Sequence, residues 1–173
     1  MWGTLERVCG RFVSASPPDG IARYFDAVPP EEALPARWNV APTDDVYGVT
    51  AHDGRRHVEV FHWGLVPGWA DDPSVGTRMI NARAETVATR GAFAPALRSR
   101  RCLVPADGFY EWRKVPGSRT KRPVYVRRAD GAPMAFAGLW ETWRDPGGGR
   151  LRSCTSVTTA ANEDLAAVHD RMP

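Results

Sequence analysis

The 173-residue sequence has no long apolar run, and none of its stretches approaches the roughly 18 residues that a transmembrane helix needs. Its first residues, MWGTLERV, lack both the apolar centre and the cleavage site of a secretory signal. We therefore expect neither a membrane span nor secretion. The sequence predicts a cytoplasmic protein with no membrane partner.

Cysteine is scarce, with three widely spaced residues, Cys9, Cys102 and Cys154. An odd number at this spacing argues against a disulfide framework and against a zinc knuckle. A cysteine with a role here would act as a free thiol, and we predict neither a metal nor a cofactor. Cys102 and Cys154 lie in apolar segments and are expected to be buried.

Internal repeats and low-complexity linkers are also absent, and 43% of the residues are hydrophobic. This length and composition suit one domain with a core that is stable without crosslinks. We expect a monomer.

Positive charge is unevenly distributed along the chain. Residues 77–128 contain 13 Lys or Arg and 3 Asp or Glu, a net charge of +10, whereas the whole chain carries +3. An ordinary solvated surface would mix the two signs. The basic block therefore favours a surface that binds a polyanion, with nucleic acid the first candidate.

Short β-rich segments separated by turn sequences dominate the chain after residue 45, and they predict an α+β protein built mainly on an antiparallel sheet or barrel. The predicted strands are VYGVT, HVEVFHW, CLVP, GFYEW, PVYVRR, MAFAGLWETW and SCTSVTT. Three helices are predicted, in DGIARYFDAV, in AETVATRGAFAPALRSR with a break near Gly91, and in NEDLAAVHDRM.

Single polar residues do not identify a site. Asn81 could cap a helix, Glu111 could be an exposed strand residue, and His169 could sit at a helix end. Six motifs in a fixed order are more specific: CGRF (9–12), WNVAPT (38–43), WGLVPGW (63–69), INARAET (80–86), DGFYEW (107–112) and HDRMP (169–173). Together they resemble the SOS response-associated peptidase (SRAP) family from Cys9 to Pro173.

The resemblance implies an SRAP fold and a DNA-damage protein that senses abasic sites in single-stranded DNA. It also implies a covalent DNA–protein crosslink through an N-terminal cysteine. An abasic deoxyribose opens to an aldehyde, and a terminal cysteine offers an amine and a thiol that together close a thiazolidine ring. The reference pKa values, about 7.7 to 8.0 for the amine and about 8.5 for the thiol, leave both nucleophiles available near neutral pH.

Residues 1–8 are the clear departure from the family pattern, because they would block the amine of Cys9. We expect this N-terminal extension to be absent from the mature protein, leaving residues 9–173 as a single SRAP domain that is truncated at its C-terminus. Two explanations stay open. Val8 could be read as the initiator from an alternative start codon, or the protein could remove its own tail by autoproteolysis.

The resemblance also supplies roles for the polar residues. Glu111 is the expected general acid and base, and His169 the second proton donor, since its pKa lies near the working pH. Asn81 is expected to hold the sugar or the cysteine by hydrogen bonds. Arg11 and Arg83 are expected to bind phosphates.

Two tryptophans of WGLVPGW are candidate DNA contacts. Trp69 is predicted to stack on bases, whereas for Trp63 a DNA contact and a place in the core are equally favoured. Asn39 and Pro42 are expected to line the same cleft. Trp112, Trp140 and Trp143 are assigned to the core or its edge.

Two other functions remain open at this stage. A cysteine-dependent peptidase would use Cys9 with His169 to hydrolyse an amide. A passive single-stranded DNA-binding module would need the basic block and the tryptophans but would have no use for Cys9 or Glu111.

Overall fold

The computed structural model describes residues 9–173. Within them the chain forms these strands: β1 (Arg11–Ser14), β2 (Ala27–Val28), β3 (Arg37–Val40), β4 (Asp45–His52), β5 (Arg55–Trp63), β6 (Asn81–Arg83), β7 (Arg101–Ala106), β8 (Gly108–Lys114), β9 (Lys121–Val126), β10 (Met134–Arg144), β11 (Arg150–Ala160) and β12 (Arg171–Met172). The helices are α1 (Pro18–Phe25), α2 (Ala94–Ser99) and α3 (Glu163–Ala166), with a 3₁₀ turn at Pro73–Arg78.

Five long strands close into a barrel in the order β11-β10-β7-β4-β5. Neighbours pair antiparallel except at the closure, where β11 runs parallel to β5 and Cys154 lies opposite Trp63. Because β11 has 11 residues, its far half extends past this closure and pairs with β6 and then β12. The predicted fold class, a mainly antiparallel barrel-like sheet with few short helices, is confirmed.

A second, four-stranded sheet in the order β3-β1-β8-β9 packs against the barrel. Phe12 of β1 lies edge-on to Trp63 and Phe136, with ring centroids 5.0 and 5.8 Å apart. Phe109 of β8 joins the same cluster through Phe136. This apolar contact fixes the small sheet, and therefore the start of β1 and the middle of β8, against the barrel wall.

Turn chemistry sets the best-defined hairpin, which joins β4 to β5. Asp53 and Gly54 both have positive φ, 52° and 73°. A two-residue Asp-Gly loop with this geometry matches the right-handed twist of the flanking strands. The hairpin thus joins the two strands that the sequence predicts in VYGVT and HVEVFHW.

The helices are shorter than the sequence predicts. α1 forms as expected, but the segment after Arg83 folds mainly into turns, and Gly91 and Pro95 restrict the helix to Ala94–Ser99. α3 is a single turn capped by Asn162, whose side-chain oxygen accepts a hydrogen bond from the backbone N–H of Leu165 at 3.1 Å. In the described part of the chain no helix is long and apolar enough to cross a membrane.

Candidate active site

Cys9 and Glu111 meet inside the protein although 102 residues separate them in sequence. The backbone nitrogen of Cys9 donates to Oε1 of Glu111 at 2.6 Å, and the Sγ of Cys9 lies 3.0 Å from the same oxygen. Cys9 is 4% exposed and Glu111 is 2% exposed. One carboxylate oxygen therefore contacts both nucleophilic atoms that a cysteine can offer.

The strand geometry explains this contact. Side chains alternate along β8, so Phe109 and Glu111 point into the protein while Tyr110 points to the other face. β1 pairs antiparallel with β8 with Arg11 opposite Tyr110, which brings Cys9, two residues before β1, close to the side chain of Glu111. Cys9 has a φ of 47°, a conformation that non-glycine residues adopt rarely and that recurs at functional sites.

The thiol of Cys9 is held in its protonated form. Burial is the main cause of its raised pKa, and the neighbouring carboxylate of Glu111 adds to it by charge and by hydrogen bonding. The positive charge of Arg171 opposes this effect without cancelling it. The protonated thiol is thus the hydrogen-bond donor, and Glu111 is the group placed to take its proton.

Asn81 and Arg83 lie on β6, which is held beside β11 by the pairs Asn81–Ser156 and Arg83–Thr158. Both residues line an open cleft of about 600 Å³, together with Arg78, Arg90 and Arg171. Several arginines on one cleft suit an anionic ligand.

The segment carrying His169 is anchored by Arg171. The guanidinium of Arg171 donates two hydrogen bonds to the carboxylate of Glu85, at 3.0 and 3.1 Å, and a third to the backbone oxygen of Thr158 at 2.7 Å. Glu85 lies in the motif INARAET and Arg171 in the motif HDRMP. Sequence reasoning quoted both motifs but assigned no role to Glu85, Thr158 or Arg171.

The ring of His169 is mostly buried, with 12% of the side chain exposed. Its Nδ1 lies 3.1 Å from the backbone nitrogen of Arg171 and 2.8 Å from Oδ1 of Asp170. A neutral ring accepts from the Arg171 N–H and keeps Nε2 as a donor, whereas a protonated ring donates Nδ1–H to Asp170.

The other expected DNA contacts lie on the surface. Nη1 of Arg11 donates to Oδ1 of Asn39 at 3.3 Å, so these two candidates are neighbours. Pro42 is half-buried, and Trp69 is 68% exposed in the turn after β5. Trp38, 70% exposed, was not singled out by the sequence reasoning.

The interpretation of Trp63 as a DNA contact is wrong in this structure. Trp63 is 1% exposed, and its Nε1 donates to the backbone oxygen of Ile80 at 3.0 Å, so its indole fills the barrel interior. Trp143 is also buried, while Trp112, on β8 and paired with Pro123 of β9, is exposed. Cys102 and Cys154 are buried as predicted, and burial raises the pKa of the Cys102 thiol to about 12.

No group of His, Cys, Asp and Glu side chains within residues 9–173 is arranged to hold a metal ion. The site that the described residues form is a buried cysteine and glutamate next to an arginine-lined cleft, on a mixed barrel. This arrangement combines a thiol and a carboxylate with a cleft whose arginines suit an anionic ligand.

Comparison with known proteins identifies the family. The family model "SOS response associated peptidase (SRAP)" matches residues 8–173, and the chain belongs to this family. It is 41% identical to the abasic site processing protein YoaM of Bacillus subtilis over 169 residues, 96% of this chain and 74% of that protein. It is 34% identical to the abasic site processing protein YedK of Escherichia coli over 171 residues, 96% and 74% of the two chains.

A solved structure agrees with the fold. A crystal structure of a protein from Bacteroides thetaiotaomicron superimposes with a TM-score of 0.84 at 25% identity, covering 95% of this chain and 75% of that one. The predicted family membership is confirmed, and these relatives connect the chain to the response to abasic-site DNA damage.

Proposed function

We propose that this protein senses abasic sites in single-stranded DNA and attaches to them covalently through Cys9 as its N-terminal residue. The observation that carries the proposal is the pair of contacts from the nitrogen and the sulfur of Cys9 to one oxygen of Glu111. The names of the relatives, abasic site processing proteins, support the choice of DNA lesion. The basic block at residues 77–128 supports a polyanionic ligand.

The contacts suit each step of thiazolidine formation. The amine of Cys9 adds to the aldehyde carbon of the opened sugar, and loss of water from the carbinolamine leaves an imine. The sulfur then bonds to the same carbon, while the thiol proton goes to the nitrogen, so one water is released overall. Glu111 touches both atoms and can carry this proton from sulfur to nitrogen.

The reaction needs a free amine at Cys9, so we propose that residues 1–8 are removed or never made. Self-removal has physical support, because the nitrogen of Cys9 is the leaving atom of the peptide bond between residues 8 and 9. Glu111 contacts that nitrogen at 2.6 Å: as water adds to the carbonyl carbon of residue 8, Glu111 accepts a proton from the water and passes it to the Cys9 nitrogen when the peptide bond breaks.

The remaining candidates supply binding and proton transfer in this proposal. His169 protonates the ring oxygen of the sugar or assists loss of water. Asn81 and Arg83 hold the sugar and its phosphates in the 600 Å³ cleft that they line. Arg11, Asn39, Pro42 and Trp69 contact the flanking DNA, Trp69 through base stacking.

The test uses two forms of the protein, the full reading frame and a chain that begins at Cys9 after cleavage of a fusion partner. Each is incubated with a single-stranded oligonucleotide that contains one abasic site and is then run on a denaturing gel. We expect a heat-stable adduct whose crosslinked peptide, by mass, begins at Cys9. Cys9→Ala should abolish this adduct, whereas Cys102→Ala, the matched control, should keep it.

Comparing the two forms tests the crosslinking reaction separately from the removal of residues 1–8. No adduct from the chain that begins at Cys9 would overturn the crosslinking proposal. An adduct from that chain alone, with residues 1–8 still attached to the other form, would keep the chemistry and reject removal of the tail.

A further inference from the structure

An N-terminal residue needs an anchor if two of its atoms are to stay on one carboxylate oxygen, because chain ends fray unless the structure ties them down. Cys9 lies two residues before β1, and β1 has only four residues. Its pairing with β8 comprises three residue pairs, and its pairing with β3 is irregular between Phe12 and Ser14. The position of Cys9 therefore depends on what fixes the far end of β1.

The carboxylate of Asp107 fixes that end. Its Oδ2 accepts hydrogen bonds from the backbone N–H of Ala15 at 2.6 Å and of Ser16 at 3.0 Å, and its Oδ1 accepts one from the hydroxyl of Ser16. The backbone N–H of Asp107 also donates to the carbonyl oxygen of Val13 at 2.9 Å. The three bonds to the carboxylate are partly buried, so water competes with them less than it would at the surface.

Asp107, Phe109 and Glu111 are alternate residues of the motif DGFYEW, and they act on β1 at successive points. Phe109 lies opposite Phe12, and both belong to the same apolar cluster. Phe12 thus fixes which face of β1 is buried, whereas Asp107 fixes where the strand ends. A slip of β1 by one residue would break the bonds to Asp107 and shift Cys9 by about 3.3 Å relative to Glu111.

We propose that Asp107 is a positioning residue for the reaction at Cys9: by anchoring the far end of β1, it keeps the nitrogen and the sulfur of Cys9 within reach of Glu111. The inference rests on the proposed function, in which Cys9 begins the chain. Asp107 acts through β1, since its hydrogen bonds go to residues 13–16. It takes no part in the proton transfers, which belong to Glu111.

The first test measures how firmly Cys9 is held and needs no DNA. Wild type and Asp107→Ala, as full reading frames, are treated with iodoacetamide, and alkylation of each cysteine is followed by peptide mass. All three thiols are free and buried, and Cys102 and Cys154 lie in barrel strands, so their alkylation reports general unfolding. We expect Cys9 to react about tenfold faster in the variant, because the lost bonds to a charged acceptor loosen β1. Cys102 and Cys154 should react as in wild type.

The second test measures the reaction in chains that begin at Cys9. Crosslinking to an oligonucleotide with one abasic site is followed at increasing oligonucleotide concentration, which separates the saturated rate from the half-saturating concentration. We expect Asp107→Ala to lower the saturated rate about tenfold, because misplaced reacting groups slow the chemical step. The half-saturating concentration should change less than the rate, since the arginine-lined cleft is built by residues outside β1 and β8.

Three results would overturn the proposal. One is alkylation of Cys9 at the wild-type rate in Asp107→Ala. Another is an equal rise at all three thiols, which would show a general loss of stability. The third is a saturated crosslinking rate that stays at the wild-type value while the half-saturating concentration rises, which would assign Asp107 to DNA binding.

Two further variants cover poor folding of Asp107→Ala and supply a matched control. Asp107→Asn keeps the size of the side chain and one acceptor oxygen, so Cys9 should react about threefold faster, and a wild-type rate would contradict the proposal. The carboxylate of Asp145 also accepts a backbone N–H, that of Gly147 at 2.7 Å, but between β10 and β11. Asp145→Ala makes the same change in charge and should leave Cys9 alkylation and the saturated rate within about twofold of wild type. Equal effects from Asp107→Ala and Asp145→Ala would overturn the inference.

The failure of the proposed function would look different. Wild-type protein beginning at Cys9 that forms no adduct with a natural abasic site would reject the crosslinking chemistry. The alkylation comparison uses no DNA and would still decide whether Asp107 holds Cys9 beside Glu111.

Discussion

The half-buried carboxylate of Glu59 and the buried carboxylate of Glu111 have opposite surroundings. Glu59, on β5, receives two hydrogen bonds from the guanidinium of Arg152, at 2.7 and 2.9 Å, and one from the hydroxyl of Thr50. Glu111, on β8, is contacted by the nitrogen and the thiol of Cys9. Arg152 never gives up its proton at ordinary pH, whereas a thiol and an amine do.

The partners of Glu59 indicate a structural role, whereas those of Glu111 suit the proton transfer proposed for it. Arg152, on β11, also stacks over the rings of Phe61 on β5 and Trp140 on β10, 4.5 and 5.0 Å from their centroids. The ion pair of Arg152 with Glu59 therefore holds this contact between three barrel strands in place. Glu111 instead contacts the nitrogen and the thiol of Cys9, which are groups that can exchange protons with a carboxylate. The same residue type therefore stabilises the barrel at one position and, in the proposed function, transfers protons at the other.

The largest expected effect comes from removing the charge of Glu111. In a chain that begins at Cys9, Glu111→Gln should slow crosslinking to an abasic site by about 10²- to 10⁴-fold, the usual contribution of general acid–base catalysis. Glu59→Gln is the matched control and should crosslink at the wild-type rate. The measurement is a quenched time course on denaturing gels. A Glu111→Gln rate within about threefold of wild type would show that Glu111 does not act as a general acid or base in crosslinking.

The structural role of Glu59 is tested by substituting its partner, Arg152. Arg152→Met keeps the apolar stem but removes the hydrogen bonds to Glu59 and the stacked cation, so we expect a loss of about 2 kcal/mol in the free energy of unfolding. Urea unfolding measures it. In the double variant with Glu59→Gln the loss should be smaller than the sum of the single losses. Additive losses would mean that the two side chains do not act as a pair.

Sequence reasoning could predict the strands because their physics is local. Alternating β-branched and aromatic residues, and turns such as Asp53-Gly54, specify hairpins without reference to the rest of the chain. The long strands β4, β5, β10 and β11 appear where those patterns predict them. Short strands such as β6 and β12 carry too few residues for a pattern and form only because β11 offers them a partner.

The site itself depends on distant parts of the chain. The motif order predicted that Cys9 and Glu111 matter, but the register of β1 on β8 decides that one oxygen meets both atoms of Cys9. Trp63 and Trp69 share one motif and differ completely in exposure. Trp63 ends β5 at the parallel closure with Cys154, which no local pattern predicts, while Trp69 lies in the following turn.

The smallest expected effect is the acid dependence that Glu59 contributes to stability. Burial alone would raise the pKa of Glu59, but the hydrogen bonds and charge of Arg152, with the hydroxyl of Thr50, lower it below its ordinary value of about 4.3. A folded-state pKa that is depressed stabilises the protein above the unfolded pKa, and this stability is lost as pH falls through the folded value. The carboxylate keeps some contact with solvent, which screens it, so we expect about 1 kcal/mol. Urea unfolding of wild type and Glu59→Gln at pH 7, 5, 4 and about 3 measures it. The difference between the two proteins should shrink towards the acid end, and a difference that stays constant with pH would mean that Glu59 is not held in its charged form by Arg152.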